Sequence, residues 1–180
     1  MKKIVMIFAA LFMMMFASTA FAKDATWMQE GYDFPAAQSA LIDSLSYVPN
    51  KTDALTPDEI YQAIVGEMKE SLFIKTRDAG QYQAVLAEKN ISLDMLDKKT
   101  AKQVYADNLN GYVDIRIVPT LINKARPILF IDVFDVATNT LVYSNHFDDG
   151  KGNSVEMYQN LTNKFCKEFN KIMKREKFKK

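Results

Sequence analysis

The sequence predicts a single α+β (α/β) domain: a mixed, largely antiparallel sheet ending in a β-hairpin, packed by a long C-terminal helix and by further helices. Three observations carry this. Between residues 57 and 109 apolar side chains recur at the three- and four-residue steps of amphipathic helices. Between 112 and 147 the composition turns to β-branched and aromatic residues, bounded by turn signals. From 153 onward the helical period returns and runs toward the C-terminus.

The chain opens with three zones. Lys2 and Lys3 are followed by an uncharged apolar run over 4–17 and by small residues that end Ala20-Phe21-Ala22. Signal peptidase admits only small side chains at the two flanking positions, so this pattern predicts a signal peptide over 1–22, cut between Ala22 and Lys23. The apolar run is shorter than the roughly 20 residues a spanning helix needs, and Lys23-Asp24 restores polarity at once. The expected product is one exported domain over 23–180, periplasmic or secreted. No Cys stands at the predicted cut, where Lys23 follows Ala22, so a lipoprotein form is not expected. No second long apolar stretch follows, so no transmembrane segment is expected in the mature chain.

Each element has its own signal. Residues 27–34 are an aromatic lead-in interrupted by Pro35. Leu41, Leu45 and Tyr47, evenly spaced, predict one half-buried strand over 39–48. Thr56-Pro57-Asp58-Glu59 reads as a capping box with Pro at the first helical position, starting a helix that runs to about Ser71. A short strand is expected over 72–76. A second helix is expected over 78–89, with Tyr82, Val85 and Leu86 on one face. A third is expected over 98–109, with Ala101, Val104, Tyr105 and Leu109 inward. Asn110-Gly111 closes it, because both residues tolerate the left-handed conformation. Strands are expected over 112–118, 128–136 and 141–147, the last two joined by a tight turn. In 128–136 both alternating faces are largely apolar, which predicts a central strand covered on both sides. Asn153-Ser154-Val155-Glu156 reads as a further capping box. It leads into a stripe of Tyr158, Leu161, Phe165, Phe169, Ile172 and Met173.

Composition excludes several functions. The chain has 23 basic and 22 acidic residues, and loss of Lys2 and Lys3 with the leader leaves 158 residues at a net charge of −1. Such a chain has no overall field for nucleic acid. A single cysteine, Cys166, permits no intramolecular disulfide and reads as a buried small hydrophobe, with pairing between chains as the alternative. His146 is the only histidine, so a zinc site with several His or Cys ligands is not expected. Asp148, Asp149 and Asn153 lack the spacing of a calcium loop. Cys166 and His146 form the only nucleophile–base combination of the usual type, and nothing in the sequence joins them. No phosphate-cradling glycine loop occurs, and no metal or cofactor site is expected.

Asp114, Arg116, Asp132 and Asp135 are charges placed within strands. Asp132 is expected opposite Arg116 as a cross-strand ion pair. The rival role for Asp114 and Asp132 is paired-carboxylate hydrolysis of an envelope glycan. The basic end, Lys171, Lys174, Arg175, Lys177, Lys179 and Lys180, suits a helix C-terminus. Asn90 and Asn160 head chance glycosylation sequons.

The segment 106–116 resembles the helix-end-to-strand element of the TolB amino-terminal and CsgG-like α/β domains. The segment 131–143 resembles their next hairpin, and Tyr32-Asp33-Phe34 with the strand after it resembles small exported proteins of DUF4136-like type. The resemblance implies envelope-associated binding or assembly and brings no catalytic residues. The expected function is therefore non-enzymatic: an exported bacterial protein binding a partner protein or an envelope component. A small-ligand carrier, with a cavity between the last helix and the sheet, is the further alternative.

Overall fold

A computed structural model describes residues 26–49, 55–123, 127–148 and 152–175. The leader, the cleavage residues Ala20, Ala22 and Lys23, and Asp149 lie outside the described residues. The strands are β1 (Trp27–Met28), β2 (Ser39–Ile42), β3 (Ser46–Val48), β4 (Lys75–Asp78), β5 (Ile115–Asn123), β6 (Pro127–Asp135) and β7 (Leu141–Asp148). The helices are α1 (Pro57–Ser71), α2 (Ala79–Glu88), α3 (Lys98–Leu109) and α4 (Val155–Arg175). The sheet order is β1-β7-β6-β5-β2-β4, with β3 also pairing β5. The β5–β6–β7–β1 half is antiparallel, whereas β2 runs parallel to both β4 and β5. The predicted α+β class with a largely antiparallel sheet is the observed one.

The chain from Ser39 to Val48 is two strands rather than one. Asp43 breaks it: its carboxylate accepts a hydrogen bond from Tyr105 Oη at 2.9 Å and faces Arg116 at 3.8 Å. The strand resumes one residue out of step, since Ile42 pairs with Ile117 but Ser46 with Thr120. This gap explains how β5 runs on through Pro119, beyond the predicted end at Val118. Asp43 N–H donates to Ile117 O, so odd-numbered residues of β5 aim their backbone groups toward β2 and β3. Pro119 comes next on that side, opposite the gap, where a missing N–H leaves nothing unpaired. Strand β2 is also not half-buried: Ala40, Leu41 and Ile42 are all fully enclosed.

Helix starts are set by side-chain caps. The Thr56–Glu59 capping box is present, and Asp78 with Gln81 forms a second at α2. Asp97 caps α3 through the N–H groups of Lys99 and Thr100. At α4 the cap is one residue later than expected. Ser154 Oγ accepts from Met157 N–H at 3.2 Å, so Glu156 closes no capping box. Gly111 (φ +80°) and Asn139 (φ +52°) take the left-handed conformation, closing α3 and turning the β6–β7 hairpin.

One side of the sheet carries α1 and α4. Ala40, Ile42, Ile115, Ile117, Leu121, Leu129, Ile131, Val133 and Tyr143 meet Ile64 and Met68 of α1 and Leu161, Phe165 and Phe169 of α4. Phe165 and Phe169 stack at 5.3 Å, with Tyr143 and Phe147 against them. Asn170 joins α4 to the end of α1, donating to Ser71 O and accepting from Phe73 N–H. A second, smaller core lies on the other side, where Leu41, Tyr82, Leu86, Leu109 and Val113 pack under α2 and α3. Within α3 only Leu109 is buried; Ala101, Val104 and Tyr105 are partly covered.

Strand β6 is central in the sheet, as predicted, yet among the described residues it is sealed on one side only. Its odd residues Leu129, Ile131 and Val133 are sealed, while Ile128, Phe130, Asp132 and Phe134 stay partly exposed. Helices α2 and α3 lie at the β2–β4 end, and α3 reaches β6 only at its C-terminal turn, where Ala106 and Leu109 border a small pocket with Phe134 and Asp135.

Two phenylalanines on opposite sides of the sheet test this asymmetry. Phe169→Ala is expected to cost about 3–5 kcal/mol and Phe130→Ala no more than about 1 kcal/mol. Urea unfolding of the two variants checks it, and comparable losses would place Phe130 in a core.

Candidate functional site

Residues paired across neighbouring strands point to the same side of a sheet, so the register defines the uncovered face row by row. One row runs Arg116, Phe134, Leu141 and meets α2 and α3 through Leu41. The next holds Val118, Asp132, Ser144 and Trp27. A third holds Ser46, Thr120, Phe130 and His146, and a fourth Val48, Ile122, Ile128 and Asp148. The interior of this grid is partly exposed throughout, and Trp27 and Val48 at its rim are each 48% exposed. Among the described residues no helix lies over the last three rows. They form an apolar field of Val118, Ile122, Ile128 and Phe130 with one carboxylate, Asp132, inside it. His146 lies beside Phe130, ring centres 5.7 Å apart.

Asp132 accepts a hydrogen bond from Ser144 Oγ at 2.6 Å. It does not oppose Arg116, contrary to expectation: Asp132 pairs with Val118, and Arg116 with Phe134. The guanidinium of Arg116 lies over the Phe134 ring at 5.0 Å and faces Asp43. Arg116 pairs with Asp43 and Lys69 with Asp78, and among the described residues no ion pair joins Asp132.

The other strand carboxylates serve as clamps. Asp114 Oδ2 accepts from the N–H groups of Gln38 and Ser39 and from Ser39 Oγ, tying the start of β2 to β5. Burial opposes its ionisation, but these three donors outweigh burial and hold the carboxyl below its ordinary range. Asp135 accepts from Tyr32 Oη at 3.1 Å and from the hydroxyl and N–H of Thr138. There too burial is outweighed by the donors, and the carboxyl sits low. Asp114 and Asp132 do not form a hydrolytic pair. Asp132 stands opposite Val118, four residues along β5 from Asp114, about 13 Å at 3.3 Å per residue. Glycosidase carboxyls stand roughly 5–9.5 Å apart.

Cys166 is enclosed on the inward side of α4, and burial pushes its thiol up to about 12, which disfavours the thiolate. His146 points to the uncovered face, because its neighbours Asn145 and Phe147 contact Glu168 and Phe165 of α4 on the other side. The sheet therefore separates the two. Asn153 accepts a hydrogen bond from Tyr158 Oη. Among the described residues no three His, Cys, Asp or Glu side chains converge on a metal position. Between α4 and the sheet lie Tyr143, Tyr158, Phe165 and Phe169, all fully enclosed. Lys174 Nζ lies over the Phe73 ring at 4.2 Å; Lys177, Lys179 and Lys180 lie outside the described residues. Asn90 closes α2 at φ +59°, and Asn160 is exposed on α4. No helix among the described residues is long and apolar enough to cross a membrane.

No protein-family description matches the chain, and no curated protein matches its sequence. Solved structures do resemble it. The PelC dodecamer from Paraburkholderia phytofirmans has a TM-score of 0.50 at 9% identity, covering 81% of this chain and 96% of that one. The C-terminal domain of LpoB from Escherichia coli has a TM-score of 0.47 at 15% identity, covering 67% of this chain and 100% of that one. Lipoprotein GNA1162 from Neisseria meningitidis has a TM-score of 0.44 at 11% identity, covering 64% and 81%. None of these three is a TolB, CsgG-like or DUF4136-like domain by name. The likeness to PelC is one of fold alone.

The clamp carboxylates give a signed pH dependence. Held below their ordinary range, Asp114 and Asp135 stabilise the fold above about pH 4, and that contribution fades as pH falls through their folded values. Asp114→Asn is expected to lose roughly 1–3 kcal/mol at pH 7, with the gap to the parent chain narrowing at about pH 3. Urea unfolding at the two pH values checks this; a constant gap would contradict it.

Proposed function

We propose that the chain is an exported, non-enzymatic bacterial protein that holds a partner protein or envelope component on the uncovered face of its sheet. The observation that carries this is the contrast within one face. At the β2–β4 end it lies sealed under α2 and α3, whereas across β5, β6 and β7 Val118, Ile122, Ile128 and Phe130 remain partly exposed. Contiguous apolar surface of this kind marks interaction sites. The catalytic readings find no support in the geometry, since the clamp carboxylates are occupied and the thiol and imidazole lie on opposite sides. Export rests on the leader, with Lys23 as the first residue after the cut. The solved PelC is a dodecamer, and self-assembly is the second reading.

A photocrosslinking residue at Phe130, in the chain as produced by its own cell, is expected to give a defined adduct. One at Glu70, on the exposed side of α1, is expected to give none. Phe130→Glu should keep its far-ultraviolet circular dichroism and lose the adduct. The exported protein should begin at Lys23. An adduct from Glu70 alone would refute the site, and a retained residue 1–22 segment would refute the leader.

A further inference from the structure

We infer that the occupant of the uncovered face is a helix of a partner protein, presenting an apolar stripe and, within it, a lysine or arginine that meets Asp132. The inference rests on that face being the binding surface.

The dimensions favour a helix. Strands β5, β6, β7 and β1 span three spacings, about 14 Å, and a helix with its side chains is about 10–12 Å across. From the Arg116–Phe134 row to the Ile122–Ile128 row the face is six residues long, about 20 Å. The same sheet already takes helices everywhere else: α1 and α4 on one side, α2 and α3 at the far end of this one. An added strand would need free backbone groups, and a sheet face has none to offer. The edges are poorly suited as well. Strand β4 at one edge reads Lys75-Thr76-Arg77-Asp78, with Asp78 paired to Lys69. At the other edge β1 pairs with Ser144 and Tyr143, and the next N–H, that of His146, donates to the side chain of Asn145 at 2.7 Å.

Charge selects among helices. Asp132 has Val118 opposite it on β5 and Trp27 and Ser144 beyond it in the same row. Arg116 lies diagonally from it, but its guanidinium faces Asp43 and covers Phe134. A purely apolar cover would strip water from Asp132 and leave the carboxylate without a counter-ion. A second copy docked face to face about a two-fold axis would bring two Asp132 carboxylates into the same dry interface. A cation on the partner removes both difficulties and gains a charge-assisted hydrogen bond to Asp132.

The single tryptophan, Trp27, sits in the Asp132 row and half-exposed, so its emission reports occupancy of the face. The probes are synthetic Leu/Ala/Gln amphipathic helices of about 14 residues, sized to the face at 1.5 Å per residue. They differ only in a Lys or a Glu at the centre of the apolar stripe. The Lys peptide is expected to shift Trp27 emission to shorter wavelength, saturably, with an affinity at least about tenfold above that of the Glu peptide. Asp132→Asn should abolish the difference between the peptides, and Phe130→Glu should abolish binding of both. Equal binding of the two peptides, still sensitive to Phe130→Glu, would overturn the cation while leaving the site intact. Binding of neither peptide would overturn the helix. Self-association by sedimentation, lost in Phe130→Glu, would overturn the partner helix in favour of a second copy.

Discussion

A sheet has two faces, and among the described residues α1 and α4 together seal one of them. Helix α4 brings Phe165 and Phe169 down onto Tyr143 and Phe147, while α1 fills the adjoining area with Ile64 and Met68. That packing makes the odd residues of β5 and β6 core and their even neighbours surface. The remaining helices, α2 and α3, cover mainly the parallel end, where Leu41 and Tyr82 form a core of their own. The uncovered field over β5–β7 follows from this unequal supply of helices.

Polar groups hold the arrangement at its margins. Asp114 ties β2 to β5, Asp135 ties the lead-in at Tyr32 to the hairpin, and Asn170 ties the end of α1 to α4. Each side chain satisfies backbone or hydroxyl groups that would otherwise be stranded where elements meet. A carboxylate already holding two or three donors is a poor acid or base for a substrate. The exception is Asp132, which accepts a single serine hydroxyl in the middle of an apolar field. Structural demand therefore separates the strand acids used as clamps from Asp132.

Much of this was legible from residue order. The Thr56–Glu59 cap, the α4 stripe, the Asn110-Gly111 stop and the β6–β7 hairpin follow from local rules, and each is present in the fold. The missed features depend on partners distant in sequence. Asp43 breaks a strand because Arg116 and Tyr105 reach it from more than sixty residues away. Arg116 pairs with Phe134 rather than Asp132 because the hairpin register is set by the whole β5–β6 ladder. The caps at Asp78 and Asp97 needed only local reading and were there to be found. The uncovered face could not be read at all: Phe130 and Phe134 alternate with Leu129, Ile131 and Val133, and an apolar residue looks the same whether its cover is its own helix or another molecule's.

Hydroxyl-radical footprinting of the purified protein tests the central asymmetry directly. Phe130, Phe134 and His146 should be modified readily, while Tyr143, Phe165 and Phe169, of similar intrinsic reactivity class, stay protected in the folded state. Equal protection of Phe130 and Phe165 would show that the face is already closed, and the account of a one-sided sheet would fail.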